Sequence, residues 1–478
     1  MSTTKHSVYI LSAQLSLLFS GAIINFGLGR FLGPSLYGQF GIVYAVATIM
    51  NLLLTPGIMQ AVSKFVASKK EHAGEIAGSV LKQQVVIGFA LAAAYFFASS
   101  LIAAALRDPS LTSLLQYLTP LVVIYALSAV YGGFLTGIGS FGKQATQLVI
   151  YSVSRLAATF LFAYFFSLAG AVVALPVAGL LALLYFAVAS RLRFSSFPVR
   201  NVYSFAAPIT IFVFITTFFL NVDLFLVKIF LQDNVMTGFY TAAGAVSRIP
   251  YTVLTALGMI MLPAVAGKLA ANENTLKFLQ EAFRYVLLLL LPGTAVIAAT
   301  AKPLVMLLYR SEYAAAGIPL SILVVGTAAL TLSYLFAVVL NAASRPLLSA
   351  SVAFGMIAIS VALNIVLIPM FGLVGAALAT SVASLLSFAA FFAIVYFKFG
   401  MPFLWKSFAK IVLSSLLIFI IALQFDYANK FVLPAVYLFL GAVYAACLFL
   451  MKELRSGDFR RAAGLLPKRI GDVLLRFL

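Results

Sequence analysis

Residues 28–44 read LGRFLGPSLYGQFGIVY, and here one long apolar segment ends at a turn built from Gly33 and Pro34 and the next begins. Arg30 stands at membrane depth or at its rim. A cation costs about 2.5 to 3.5 kcal/mol at the centre of a spanning helix, so it normally faces a cavity or a partner rather than lipid. A variant of the stretch returns 200 residues later as IFLQDNVMTGFYTAAGAV at 229–246, with Gly38, Ala45 and Val46 matched by Gly238, Ala245 and Val246. The chain reads as an internal duplication.

The composition is that of a membrane protein: 64% of residues are hydrophobic and 9% charged, and a spanning helix needs about 20 apolar residues. Apolar runs bounded by polar breaks place spans near 8–32, 36–57, 79–106, 112–136, 144–166 and 170–190. A second set lies near 203–231, 236–266, 284–309, 314–343, 347–369 and 373–397, and two further runs near 405–424 and 431–451. The runs are too long, and too little alternating, for barrel strands, so helices are the only spanning option. The expected fold is an all-α polytopic membrane protein of about 14 transmembrane helices. It has a six-helix lobe at 1–190, a connector at 191–202, a second six-helix lobe at 203–398, two additional helices within 399–451 and a basic amphipathic tail at 452–478.

Loops on the N-terminal side carry Lys64, Lys69, Lys70, Lys143, Arg200, Lys277, Arg345 and Lys406, among others, while opposite loops offer Arg30, Arg107, Arg310 and Lys430. By the positive-inside rule both termini are expected in the cytoplasm, with the protein in the cytoplasmic (inner) membrane. Lys5 precedes an apolar run too long for a signal-peptide core, so that run is expected to stay as the first span. The stretches 58–78, 268–283 and the tail read as amphipathic helices at the cytoplasmic interface.

The duplication is clearest at an offset of 205, where LAGAVVALPVAGLL at 168–181 lies over LVGAALATSVASLL at 373–386. Each unit has an even number of spans, so the halves share one orientation and are related by a pseudo-two-fold axis along the membrane normal.

Polar residues in spans mark the expected site. Span two carries Tyr44, Thr48, Asn51 and Thr55 on one helical face, and span eight answers with Arg248, Tyr251 and Thr255. Span five has Gln144, Gln147, Tyr151, Arg155 and Thr159; span eleven has Ser360 and Asn364; span seven has Thr217, Asn221 and Lys228. A lone hydroxyl or amide in a span is usually helix glue. Charges differ: Arg155 and Arg248 lie too deep to snorkel, whereas Arg30 and Lys228 sit near span ends where snorkelling is an equal reading. The expected substrate-binding set is Arg30, Asn51, Arg155, Asn221, Lys228 and Arg248. Asp223 is the one carboxylate in a span, expected as a coupling site or as half of an ion pair across helices.

The first 200 residues contain three acids, Glu71, Glu75 and Asp108, all in loops. A first half with cations and no carboxylate in its spans suits a phosphate, not an organic cation. The 31 Lys and Arg against 12 Asp and Glu are spread singly between apolar runs, which excludes nucleic acid as a partner. Cys447 is the single cysteine and His6 and His72 the only histidines, so neither a metal site nor a cofactor is expected.

The stretches LGRFLGPSLYGQF at 28–40, PGIMQAVSKFVA at 56–67, FAAPI with Asp223 in span seven, TGFYTAAGAV at 237–246 and FGLVGAALAT at 371–380 make the chain resemble the polysaccharide-transporter branch of the multidrug/oligosaccharidyl-lipid/polysaccharide flippase superfamily. The resemblance implies a V-shaped pair of lobes rocking about a cationic cavity. It also implies transport of an isoprenoid-(pyro)phosphate-linked oligosaccharide for cell-surface polysaccharide biosynthesis. The implied partners are that lipid-linked oligosaccharide, membrane lipids and other polysaccharide-assembly proteins. Arg30 matches an arginine that related lipid II flippases use in their cavity. The last two spans match a pair that forms a lipid-tail groove there, although they carry no charged stripe here. A multidrug or cation antiporter of the same fold is the alternative, disfavoured because no N-terminal span holds a carboxylate. A membrane sugar polymerase or ligase is disfavoured further because the outer connections are short.

Overall fold

The computed structural model describes residues 3–190, 192, 197–252, 275–343, 345–399, 404–425, 427 and 430–453. The Thr217 side chain, Thr255, residues 268–274, most of the connector and the tail after Glu453 lie outside the described residues. What is described is helical: α1 Thr3–Leu54, α2 Pro56–Ser68, α3 Ala73–Ala105, α4 Leu111–Gln116, α5 Thr119–Gly137, α6 Phe141–Ala189, α7 Arg200–Leu231 and α8 Asn234–Ser247. Then follow α9 Thr275–Ala299, α10 Ala301–Leu308, α11 Gly317–Ala342, α12 Pro346–Phe399, α13 Trp405–Leu423 and α14 Leu433–Leu450. In lipid a helix is the one open segment that satisfies its own backbone, which is why so apolar a chain takes this form throughout.

Nine helical stretches among the described residues are long and apolar enough to cross a membrane, and three of them, at 57, 49 and 51 residues, are long enough to cross twice. Each of these three is broken at a residue with positive φ: Gly33 (φ 74), Ser167 (φ 51) and Gly372 (φ 58). At 1.5 Å per residue, positions 25 and 37 on a straight helix stand about 18 Å apart. Yet the Tyr37 hydroxyl donates to Asn25 Oδ1 at 3.1 Å, so α1 folds back at Gly33. A Cβ on Gly170 would run into the Phe162 carbonyl, and one on Gly375 into the Leu367 carbonyl, so α6 and α12 fold back as well. Counting each as two spans turns nine into twelve. The helix α7 is 32 residues long and α8 follows it, and fourteen α-helices are described in all. The protein is a multi-pass membrane protein.

These folds back carry the duplication into three dimensions. Ser167 and Gly372, Phe162 and Leu367, and Gly170 and Gly375 are each 205 residues apart, and the two breaks share ψ at −131. Near the first break the offset is 200, and the contact is reciprocal: a Cβ on Gly38 would meet the Asn234 carbonyl, and one on Gly238 the Pro34 carbonyl. Contacts in which i meets j and j meets i are the mark of a two-fold relation. The second half of α1 and the start of α8 thus cross as a pseudo-symmetric pair.

By internal contacts the chain divides into two units, Met1–Ala245 with Leu308–Pro319 and Ala353–Thr380, and Val246–Leu307 with Leu320–Val352 and Ser381–Leu478. In the first, α1 packs on α6, and α2 packs on α5 and α7. The stretch 58–78, expected as amphipathic, forms most of α2 and the start of α3. The helix α2 is amphipathic, and Gly57, Ala61, Val62 and Val66 are buried against the bundle, where Gly133 and Gly137 let its backbone and valines approach α5. Pro56 at the first turn explains why it is separate from α1: its ring would strike the carbonyl four residues back. In the second unit, α9 packs on α13 and α13 on α14 around Leu287, Phe336, Phe391, Ile411 and Leu448. The expected ninth span begins earlier than expected, at Thr275, and is broken at Thr300, after which Pro303 stands in the first turn of α10.

Candidate functional site

Arg155 lies midway along the first half of α6. The spacing Gln144, Gln147, Tyr151, Arg155, Thr159 keeps these side chains on one face, and Arg155 and Thr159 are buried. One guanidinium nitrogen, Nη1, donates to the Tyr44 hydroxyl of α1 at 3.3 Å and the other, Nη2, reaches Ser20 Oγ at 3.5 Å. The group lies 5.5 Å from the Tyr151 ring centroid, and Nε is buried without an acceptor. Gly21 makes room, since a Cβ there would stand 3.2 Å from Nη2. The structure therefore brings together two expected stripes, Tyr44 of span two and Arg155 of span five. It adds Ser20, which as a lone serine in a span gave no signal.

A guanidinium offers five N–H donors. At 6% exposure, this one is given long contacts to neutral oxygens and an aromatic face. An ionised group out of water costs several kcal/mol unless paired. Such a site favours an anion that can take the unfilled donors bidentately.

The other expected residues fall as follows. Asn51 is partly buried on α1, two turns beyond Tyr44. Asn221 and Asp223 are buried on α7. The Asp223 carboxylate accepts hydrogen bonds from the Tyr240 hydroxyl at 2.7 Å and from Thr380 Oγ1 at 3.1 Å. Arg248 is partly buried just past α8, in the second unit, and its carbonyl accepts from Thr252. Arg30 is exposed, and its Nε donates to the Leu308 carbonyl at 2.8 Å, at the C-terminus of α10 where a cation suits the helix dipole.

Lys228 does not snorkel. It is 1% exposed, and its ammonium donates to Asp108 Oδ2 at 2.6 Å and to Asn234 Oδ1. Asp108 is placed by the end of α3: Arg107 takes φ 55, and the amides of Arg107 and Asp108 return to the Ala104 and Ala103 carbonyls. Burial pushes the Asp108 carboxyl up, but the Lys228 ammonium and the Ser110 hydroxyl outweigh it and hold the group below the usual carboxylate range. The end of α14 repeats the device. Lys452 takes φ 53, and Glu453 is turned inward to accept from Arg284 Nε at 2.7 Å and Ser407 Oγ at 2.6 Å, with Lys410 at 3.6 Å. Burial again acts upward on Glu453, and the Ser407 and Arg284 hydrogen bonds hold it down. Neither ion pair was legible in the sequence.

Comparisons with known proteins agree with this architecture. The model of a family described as "Polysaccharide biosynthesis protein" matches residues 28–318. No curated protein sequence matches the chain significantly. Among solved structures, the lipid II flippase MurJ in an inward closed conformation superposes with a TM-score of 0.80 at 16% identity, covering 94% of this chain and 99% of that one. An inward-facing multidrug resistance MATE family transporter of the MOP superfamily gives 0.69 at 15% identity, covering 82% and 98%. A MOP superfamily transporter from Pyrococcus furiosus, described by a binding pocket of reverse polarity, gives 0.58 at 15% identity, covering 84% and 99%. At these identities the likeness is one of fold.

Proposed function

The chain belongs to the polysaccharide biosynthesis protein family, and from that premise we propose that it is a flippase. It carries an isoprenoid-(pyro)phosphate-linked oligosaccharide across the cytoplasmic membrane by alternating access, for cell-surface polysaccharide biosynthesis. The two six-helix lobes, 1–190 and 203–398, rock about the substrate, with both termini cytoplasmic. The observation that carries the reading is Arg155, a buried cation held by neutral oxygens in a half whose three acids, Glu71, Glu75 and Asp108, all stand at helix ends, Glu75 in the first turn of α3 rather than in a loop as expected. It supports recognition of phosphate and disfavours an organic cation. Arg30, Asn51, Asn221 and Arg248 supply further contacts to phosphates and sugar hydroxyls.

One observation favours a second reading, an ion-coupled antiporter. Asp223 is a carboxylate 2% exposed within α7, bound by two hydroxyls that would equally serve a protonated acid or a cation. The experiment that separates the readings offers proteoliposomes both cargoes. Translocation of a polyprenyl-pyrophosphate oligosaccharide without efflux of ethidium is expected. Efflux of ethidium against a proton or sodium gradient, with no lipid translocation, would replace the flippase with the antiporter.

A further inference from the structure

The Lys228–Asp108 pair joins the two repeats. Lys228 ends α7, the first helix of the second repeat, and Asp108 follows α3 of the first. Each partner is anchored in its own repeat. Asp108 Oδ1 accepts from the Ser110 amide and hydroxyl, and Ser110 Oγ accepts from Gln39 of α1 at 2.9 Å, beside Gly38. On the other side Lys228 also holds Asn234, whose carbonyl is the atom that Gly38 approaches. The arrangement has a counterpart 200 residues away. Arg30, near the end of the first half of α1, reaches the Leu308 carbonyl, and 308 is the position matching 108. The outer helix end of each repeat therefore places a cation on the loop of the other.

We propose that the Lys228–Asp108 ion pair, completed by Asn234, is a latch that holds the Gly38–Gly238 end of the bundle shut and releases when that end opens to discharge cargo. The shut and open states differ in both packing and electrostatics. At Gly38 and Gly238 backbone meets backbone, and one turn on the Thr241 side chain lies over Gly41, so along this line the crossing presents glycine surfaces from which the opposite helix can part. Shut, the pair is held at low dielectric, where its attraction is strong; open, both groups reach water and hydration replaces it. An interface with two such arrangements switches rather than deforms. The proposal rests on alternating access and not on the identity of the cargo.

The test is a cysteine reporter in purified protein, independent of orientation and of transport. Thr237, fully buried at the crossing, is replaced by Cys in a Cys447→Ser background, and its reaction rate with a maleimide is followed. Asp108→Asn, which keeps the turn to Ser110, and Lys228→Gln should each raise the rate about tenfold, and the double variant should exceed neither by more than twofold. Rates equal to the parent would overturn the latch. So would effects that multiply in the double variant. Loss of the cooperative melting transition in the single variants, with labelling otherwise unchanged in the folded fraction, would make the pair a structural staple and also overturn it. Failure of the flippase reading would appear in lipid translocation and leave these rates untouched.

Discussion

Gly38 and Gly238, 200 residues apart, meet backbone to backbone, each facing the carbonyl that opens the other's helix: Gly38 toward Asn234 and Gly238 toward Pro34. Backbone atoms cannot yield as side-chain tips do. Gly38→Ala and Gly238→Ala should therefore destabilise similarly, each by about 2 kcal/mol, the scale of overpacking a tight site. Gly355→Ala on α12, where a Cβ meets nothing within 4 Å, should be neutral or stabilising by up to about 1 kcal/mol. Melting curves in detergent check this, and equal effects at Gly355 and Gly38 would deny the crossing its steric character.

Ser167 occupies, at φ 51 and ψ −131, the conformation that Gly372 takes at φ 58 and ψ −131 in the other repeat. A side chain in that region costs about 1 to 3 kcal/mol. Ser167→Gly should raise the melting temperature, and Gly372→Ser should lower it by a comparable amount. A Ser167→Gly variant less stable than its parent would mean the serine is held by contacts that repay the strain.

Much of this fold was legible because hydropathy and turn chemistry both act locally. Breaks expected near 33, 167 and 372 coincide with the three positive-φ residues; the offset of 200 read from the sequence recurs as a reciprocal contact, and that of 205 as two breaks of matching geometry. The stripes of Tyr44 and Arg155 were legible because helical spacing puts them on a face. What was not legible depends on partners distant in the chain. Asp108 read as a loop acid, and Lys228, 120 positions away, equally as a substrate-binding or a snorkelling cation. The amphipathic pattern of 56–68 gives a buried face but not what covers it. Glu453 looked like the start of a basic tail, although the left-handed Lys452 turns it back onto Arg284.

Acid should loosen both ion pairs. The Asp108 and Glu453 carboxyls are held below their ordinary values, so the stability they contribute is fully present above about pH 5 and is lost as pH falls through about 4 toward the depressed values. Melting temperature should fall over that window. Asp108→Asn and Glu453→Gln should start lower at pH 7 and show a shallower acid dependence. A variant as steep as its parent would remove that carboxylate from the linkage.

Outward movement of a pyrophosphate carries about two negative charges out of a negative interior, worth about 4.6 kcal/mol at 100 mV if no cation accompanies it. Translocation in proteoliposomes should therefore follow an imposed inside-negative potential for molecules oriented as in the cell, and Asp223→Asn should slow it only modestly. Indifference to potential, with a proton or sodium dependence that vanishes in Asp223→Asn, would make Asp223 the coupling group.

In the proposed cycle Arg155 presents its charge to the phosphates of a lipid-linked oligosaccharide. The most direct test is the rate at which proteoliposomes bearing wild-type protein, Arg155→Lys and Arg155→Glu translocate a polyprenyl-pyrophosphate oligosaccharide, with melting temperature measured in parallel. Arg155→Glu should abolish translocation while the protein stays folded, and Arg155→Lys should retain part of it, because the charge survives although the bidentate fork is lost. Translocation undiminished in folded Arg155→Glu, or lost only together with the fold, would contradict the account.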